Sequence, residues 1–220
     1  MNRIARVLLL LPIGMLSAPA AFAGVSCPDP ATSVLPPCIR LVGHFGSTAD
    51  PAGTFTVTVN DAGGAPCPGA TVAITFLFCT DVKSCDPQLF PGVGASCAGA
   101  LVFAGTDAVG VATLSVIGCG VPGGCGSPGA CAGIYATAPG EPTVLLGSVP
   151  VAAFDLDGVG GLSGNDLSVF LGYFFGCGYA SETDYNCNGG SDGDDLSVWL
   201  GVFLRSGSAL GCSAIGTCCP

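Results

Sequence analysis

The sequence predicts a mainly β chain, a disulfide-rich sandwich followed by a small helical module. Three observations lead there. Short β-branched runs recur between turns rich in Gly, Asn and Asp from residue 54 to 149. The chain carries 36 Gly, 17 Pro and 14 Cys in 220 residues; that density breaks long helices and points to an oxidising compartment. Near the C-terminal end a nine-residue segment occurs twice, each time behind an acid-rich loop. The charge balance sets limits too. With 15 Asp+Glu against 5 Lys+Arg, a net charge of −10 and a pI near 4.1, the chain has no basic face for a nucleic acid.

Residues 1–23 read as a secretory signal peptide. Arg3 and Arg6 supply the positive start, Val7 to Leu16 the apolar centre, and Ala21-Phe22-Ala23 the small-x-small cleavage site. The mature chain then keeps Arg40, Lys83 and Arg205 against all 15 acids. No later stretch is long enough to span a membrane. The expected location is secreted or cell-surface, extracytoplasmic.

Residues 24–150 form the predicted sandwich. Phe55 to Val59 is β-branched or alternating and ends in the turn Asn60-Asp61-Ala62-Gly63-Gly64. Ala70 to Phe76 is the next strand, then Leu101 to Phe103. Thr106 to Gly110 turns the chain into Val111 to Val116. Ala132 to Ala136 and Thr143 to Val149 complete the set. Many short strands with no convincing helix read as a β-sandwich. The segments Asp61 to Pro66, Pro68 to Val72, and Thr106-Asp107-Ala108 before Gly110-Val111-Ala112 resemble the bacterial immunoglobulin-like domain, which implies an Ig-like sandwich. The Cys-bearing insertions at 79–97 and 119–131 depart from that family's pattern.

Residues 151–206 hold the repeat. Asp166-Leu167-Ser168-Val169-Phe170-Leu171-Gly172-Tyr173-Phe174 recurs 29 residues later as Asp195-Leu196-Ser197-Val198-Trp199-Leu200-Gly201-Val202-Phe203, identical at seven of nine positions. Leu167, Phe170, Leu171 and Phe174 fall at i, i+3, i+4 and i+7, and so do Leu196, Trp199, Leu200 and Phe203. Each set is an apolar stripe on a short helix, and the two stripes are expected to pack together.

The loop before the second helix runs from Asp184 to Asp195. Counted from Asp184, oxygen side chains stand at positions 1, 3, 5, 9 and 12 (Asp184, Asn186, Asn188, Asp192, Asp195), with Gly189 at 6. Gly190 at position 7 would offer its carbonyl. This spacing suits a hard cation such as Ca²⁺, which takes about six to eight oxygens around a tight turn. The first loop, Asp155 to Asp166, keeps Asp155, Asp157, Gly160 and Asp166 at positions 1, 3, 6 and 12. Gly161 would offer a carbonyl, and Ser163 would act through water. Position 5 is Val159, with no side-chain oxygen, so the second loop is the stronger expected site and one or two ions the expected load. From Phe154 to Leu204 there are eight acids and no Lys or Arg, and their mutual repulsion couples folding to the cation.

Paired loop–helix units with Asp-Leu at each loop exit resemble the type I dockerin repeat over residues 154–205. The resemblance implies calcium roles for Asp155, Asp157 and Asp166 and for Asp184, Asn186, Asn188, Asp192 and Asp195, and docking to a cohesin-like protein on a scaffold or cell surface. Family members present hydroxyls at loop positions 10 and 11 and basic residues along the helix. Here those positions are Gly164-Asn165 and Gly193-Asp194, and the helices have no Lys, so the cohesin contact itself is not carried over.

The Cys spacing lacks a zinc pattern, and disulfides are the default. Their connectivity stays open, with local pairs such as Cys27–Cys38, Cys79–Cys85 and Cys177–Cys187 as simple options. Residues 207–220 are a Cys-containing tail. His44, the sole His, reads as a strand-flanking surface residue, and no nucleophile motif accompanies it. The expected function is that of a secreted, non-catalytic calcium-binding protein for extracellular attachment or assembly. The alternative is a carbohydrate-binding accessory module of a polysaccharide-processing system.

Overall fold

The structure is a computed structural model that describes residues 26–86, 88–121, 129–177, 180–206 and 217–218. The signal segment 1–23, Cys125, and Cys212 and Cys219 of the tail lie outside the described residues. The strands are β1 (Ile39–Leu41), β2 (His44–Phe45), β3 (Thr48–Ala49), β4 (Thr54–Thr58), β5 (Thr71–Thr75), β6 (Val82–Asp86) and β7 (Val93–Ser96). They continue as β8 (Leu101–Gly105), β9 (Val111–Ser115), β10 (Gly118–Gly120), β11 (Ala132–Thr137), β12 (Val144–Val149), β13 (Val151–Ala153) and β14 (Thr217–Cys218). The helices are α1 (Gly164–Gly176) and α2 (Gly193–Ser206). The chain is mainly β, as its sequence predicts.

A five-stranded antiparallel sheet runs β12-β11-β5-β8-β7, and β4 pairs antiparallel with β9. Val57, Ala112 and Leu114 of the β4–β9 ribbon share one buried core with Val72, Ile74, Val102 and Ile134 of the larger sheet. These are the inward residues of period-2 strands, which is why that period was readable. The two predicted turns have the same wiring. Asp61 Oδ1 accepts from the amides of Gly63 and Ala65, and Asp107 Oδ1 from those of Val109 and Val111, all at 2.8–2.9 Å. These are Asx turns, in which a short carboxylate takes over the backbone's local bonds. The Thr106 hydroxyl ties the turns together, donating to Cys67 O and accepting from Ala70 N.

The described residues of both insertions pair or cross-link with the rest of the molecule. β6, from the first, pairs antiparallel with β10 and with β14. Cys79 is bonded to Cys131, so one disulfide joins the two insertions. The local pairings do not form. Cys27 is bonded to Cys67 and Cys38 to Cys187, across 40 and 149 residues. Cys85, Cys97 and Cys177 are also disulfide-bonded. His44 is corrected as well: it is 2% exposed, with Nδ1 placed 2.9 Å from Gly46 O. The β2–β3 hairpin folds its ring inward. Among the described residues no helix is long and apolar enough to cross a membrane.

The helical part is seated on a parallel pair, β1 with β13. Alternation splits β13 and its flank between two cores. Val151 and Ala153 enter the core shared by the five-stranded sheet and the β4–β9 ribbon, while Ala152 and Phe154 enter a second core with Leu162, Phe170, Tyr185 and Trp199. A strand buried on both faces reads as a plain apolar run. Both helix stripes reach this second core, with Phe154 and Tyr185 among them rather than helix meeting helix alone. The Tyr185 ring stacks on Phe154 with centroids 4.6 Å apart, and its hydroxyl donates to Ala153 O at 2.9 Å. Trp199 Nε1 donates to Phe154 O at 3.2 Å. Tyr185→Phe therefore leaves a buried carbonyl short of its donor, and urea denaturation is expected to show a loss of about 1–2 kcal/mol. Phe175→Ser, at a side chain 79% exposed, is expected to stay within about 0.5 kcal/mol of the parent.

Candidate metal centre

The first loop leaves β13 at Asp155, whose carbonyl accepts from Gly120 N at 2.6 Å. Gly158 and Gly160 then take positive φ of 67° and 78°. Gly158 also lies so close to Gly120 that an added Cβ would stand 2.8 Å from the Gly120 carbonyl. A side chain at this position is thus excluded twice, by space and by backbone conformation. Position 6 of the second loop, Gly189, has φ 86°, so the left-handed residue foreseen for that position is present in both loops.

The closing aspartates share two amide bonds, to which Asp166 adds bonds from Leu156 N and Ser163 Oγ. Asp166 Oδ1 accepts from the amide of Asp157, at position 3, and Oδ2 from that of Ser163, at position 9. Asp195 Oδ1 accepts from Asn186 N, at position 3, and Oδ2 from Asp192 N, at position 9, both at 2.9 Å. Both aspartates are fully buried. Each fastens the two ends of its loop to the first turn of the next helix. The duplication in sequence is therefore a duplication of hydrogen-bond pattern. Ser163, expected to work through water, is the N-cap of α1. Its hydroxyl donates to Asp166 Oδ2 and accepts from Asn165 N, completing a capping box. Gly161 is buried beside it.

The loops differ at position 1. In the second, Asp184 Oδ1 accepts from Asn188 N at 3.0 Å and Oδ2 from Gly189 N at 2.8 Å. Asn186 Oδ1 also accepts from Asn188 N, Asn188 Oδ1 from Gly190 N, and Asn188 Nδ2 donates to Asp192 Oδ2. In the first, both carboxylate oxygens of Asp155 are buried and make no hydrogen bond of good geometry; the Gly158 amide and the Asp157 carboxyl are near enough only to act weakly on its titration. Asp155 is 1% exposed. Its burial, followed by the charges of Asp166 and Asp157, pushes its pKa up to about 7. Burial likewise raises the pKa of Asp166 and of Asp195.

One oxygen each of Asp155, Asp157 and Asp166 lie within 4.8 Å of one another. Oxygens on opposite sides of one calcium ion, each about 2.3–2.6 Å from it, stand about 5 Å apart. The three carboxylates thus fit around a single cation, and the orphaned Asp155 oxygens are the donors such an ion requires. Among the described residues this is the acidic cluster whose carboxylates converge. The geometry thus favours the first loop, whereas side-chain spacing alone favours the second. The spacing counts available oxygens, and the fold decides which of them the loop's own amides already use.

A second acidic contact, between buried Glu182 and half-buried Asp81, is not visible in the sequence. Glu182 is 2% exposed and its Oε2 has no partner. Its burial, then a hydrogen bond with Asp81 and that residue's charge, raises its pKa to about 7. Ser181 Oγ donates to the same Asp81 at 3.1 Å. The partners are 100 residues apart in sequence, and no local pattern announces them.

No protein family, characterised protein or solved structure compared with this chain matches it.

Proposed function

We propose that this chain is a secreted, non-catalytic protein that binds calcium in its C-terminal loops and serves attachment or assembly outside the cell. In this reading a dockerin-like pair is carried on an immunoglobulin-like sandwich and makes protein–protein contacts. The observation that carries it is the Asp155 carboxylate, buried beside two further acids with neither oxygen partnered. A buried charge in that state is costly unless it is protonated or bound to a cation. Asp155, Asp157 and Asp166 would hold one ion, with the Gly161 carbonyl as a further donor. Asp184, Asn186, Asn188, Asp192, Asp195 and the Gly190 carbonyl would hold a second. The ion supplies positive charge to a segment with eight acids and no base. The matched wiring of Asp166 and Asp195 supports a true repeat. The repeat-equivalent side chains Phe175 and Leu204 are 79% and 78% exposed, which supports an outward docking face at the helix ends.

Calorimetric titration of the full chain with calcium is expected to give heat that Asp155→Ala reduces to the second loop's share. A parent protein with no heat of binding, and the same melting temperature with calcium and with chelator, would rule the reading out. Partner capture on immobilised protein is expected to require calcium and to be lost in the double variant Phe175→Ser/Leu204→Ser.

A further inference from the structure

The Cys38–Cys187 bridge is a covalent tie between the sandwich and the second loop. Cys187 sits between Asn186 and Asn188 with φ 63°, in the left-handed region. That conformation aims the Asn188 amide, which the Asp184 and Asn186 side chains both accept. A non-glycine residue holds it only where its surroundings insist, and the tether to Cys38 is such a restraint. A pocket of about 160 Å³ opens on the bridge, lined by Pro36, Pro37, Cys38, Arg40, Phe55 and Cys187 among others. Cys38 and Arg40 stand two apart where the chain extends into β1, so they share a face. Ile39 and Leu41, on the other face, enter the sandwich core. Among the described residues no hydrogen bond or ion pair engages the Arg40 guanidinium. Cys38 is 6% exposed and Cys187 is half-buried.

We propose that this pocket is a thiol–disulfide exchange site, at which a small dithiol opens the Cys38–Cys187 bridge and releases the Cys187 turn of the second loop from its tether, while Tyr185 keeps the loop seated on Phe154. The calcium reading enters only in what this opening does to the loop. One thiolate of the dithiol attacks Sγ of Cys187, the more exposed residue of the two. The S–S bond breaks, a mixed disulfide forms on Cys187, and Cys38 leaves as a thiolate beside the Arg40 guanidinium, which stabilises it. The second thiolate of the dithiol then attacks its own first sulfur, expelling Cys187. The dithiol ends as a cyclic disulfide, oxidised by two electrons, and its two protons end on Cys38 and Cys187. Opening removes the tether that holds Cys187 left-handed, and the Asn188 amide is no longer aimed at its acceptors. A ligand favoured by the bridged loop must by linkage favour the bridge.

The test is limiting dithiothreitol on the folded full chain, with and without calcium, followed by rapid alkylation and peptide mass spectrometry. Cys38 and Cys187 are expected to be alkylated before Cys27, Cys67, Cys79 and Cys131. Arg40→Gln is expected to slow that labelling about threefold, the response to roughly one unit of leaving-thiol acidity, and Arg40→Lys to restore most of it. Calcium is expected to slow opening in the parent. Earlier opening of Cys27–Cys67 or Cys79–Cys131, or an Arg40→Gln rate equal to the parent's, overturns the exchange site. If calcium binds calorimetrically yet leaves the opening rate unchanged, the link to the loop is wrong. If no calcium heat is found while the Arg40-dependent opening persists, the exchange site stands and the calcium reading falls.

Discussion

Asp166→Ala is expected to cost about 3–5 kcal/mol and to melt the first turn of α1, because it strips a buried acceptor from several donors at once. The carboxylate takes bonds from Leu156 N at 2.7 Å, Asp157 N at 3.0 Å, Ser163 N at 2.7 Å and Ser163 Oγ at 2.8 Å. Each buried amide left without a partner costs about 1–3 kcal/mol, and water can reach some of them once the loop opens. Asp195→Ala removes two amide bonds, so about 2–3 kcal/mol is expected there. Asp166→Asn keeps one acceptor oxygen and should fall between parent and alanine. Urea midpoints and far-UV helix content at neutral pH measure the series. A loss below about 1 kcal/mol in Asp166→Ala would mean that this aspartate does not hold the loop. The ordering needs no metal: it follows from the amides and would persist in chelator.

Strands buried on one face were readable because their side chains alternate. Phe55 to Val59, Ala70 to Phe76 and Val111 to Val116 each found their place within a residue or two. β1 and β13 escaped notice. β1 does alternate, with Ile39 and Leu41 inward and Arg40 outward, but three residues are too few to announce a strand; β13 is buried on both faces, and only the finished fold reveals that Ala152 and Ala153 serve different cores. β6 was hidden by its own composition, since Lys83, Ser84 and Asp86 read as a loop until β10 pairs with it. The loop spacing disclosed which residues surround each site, including the left-handed glycine at position 6. It could not disclose that Asp184 spends both oxygens on its own loop while Asp155 spends none. In the first loop the Val159 amide bonds Asp157 alone, whereas its counterpart, the Asn188 amide, bonds Asp184 as well as Asn186. The Cys38–Cys187 bridge and the Asp81–Glu182 contact are long-range facts set by the packing of the helical part onto the β part, and Cys27–Cys67 and Cys79–Cys131 are set by packing within the β part.

Calcium-free and calcium-loaded protein are expected to respond to pH in opposite directions. In the calcium-free fold, Asp155 and Glu182 each have a pKa raised to about 7, and Asp166 and Asp195 are raised as well, burial being the first cause in every case. Between the ordinary carboxylate range and about pH 7 the folded chain therefore holds more protons than the unfolded one. Unfolding free energy must then fall as pH rises through that window, by about 1.4 kcal/mol for each tenfold gain in proton affinity on folding. Calcium reverses the sign, because it takes the place of those protons. Its affinity climbs as the carboxylates ionise, and at a free concentration about 100-fold above its dissociation constant it adds about 2.7 kcal/mol. Scanning calorimetry at pH 5, 6 and 7.5, on protein stripped over a chelating resin and on protein with added calcium, should show two curves that diverge upward in pH. Two variants separate the contributors. Asp155→Asn should flatten part of the calcium-free slope and shrink the calcium gap. Glu182→Gln should flatten the slope through its pairing with Asp81 and leave most of the gap in place. Calcium-free protein as stable at pH 7.5 as at pH 5 would mean that these carboxylates are ionised in the fold without help. The unpartnered oxygens of Asp155 would then no longer argue for a cation.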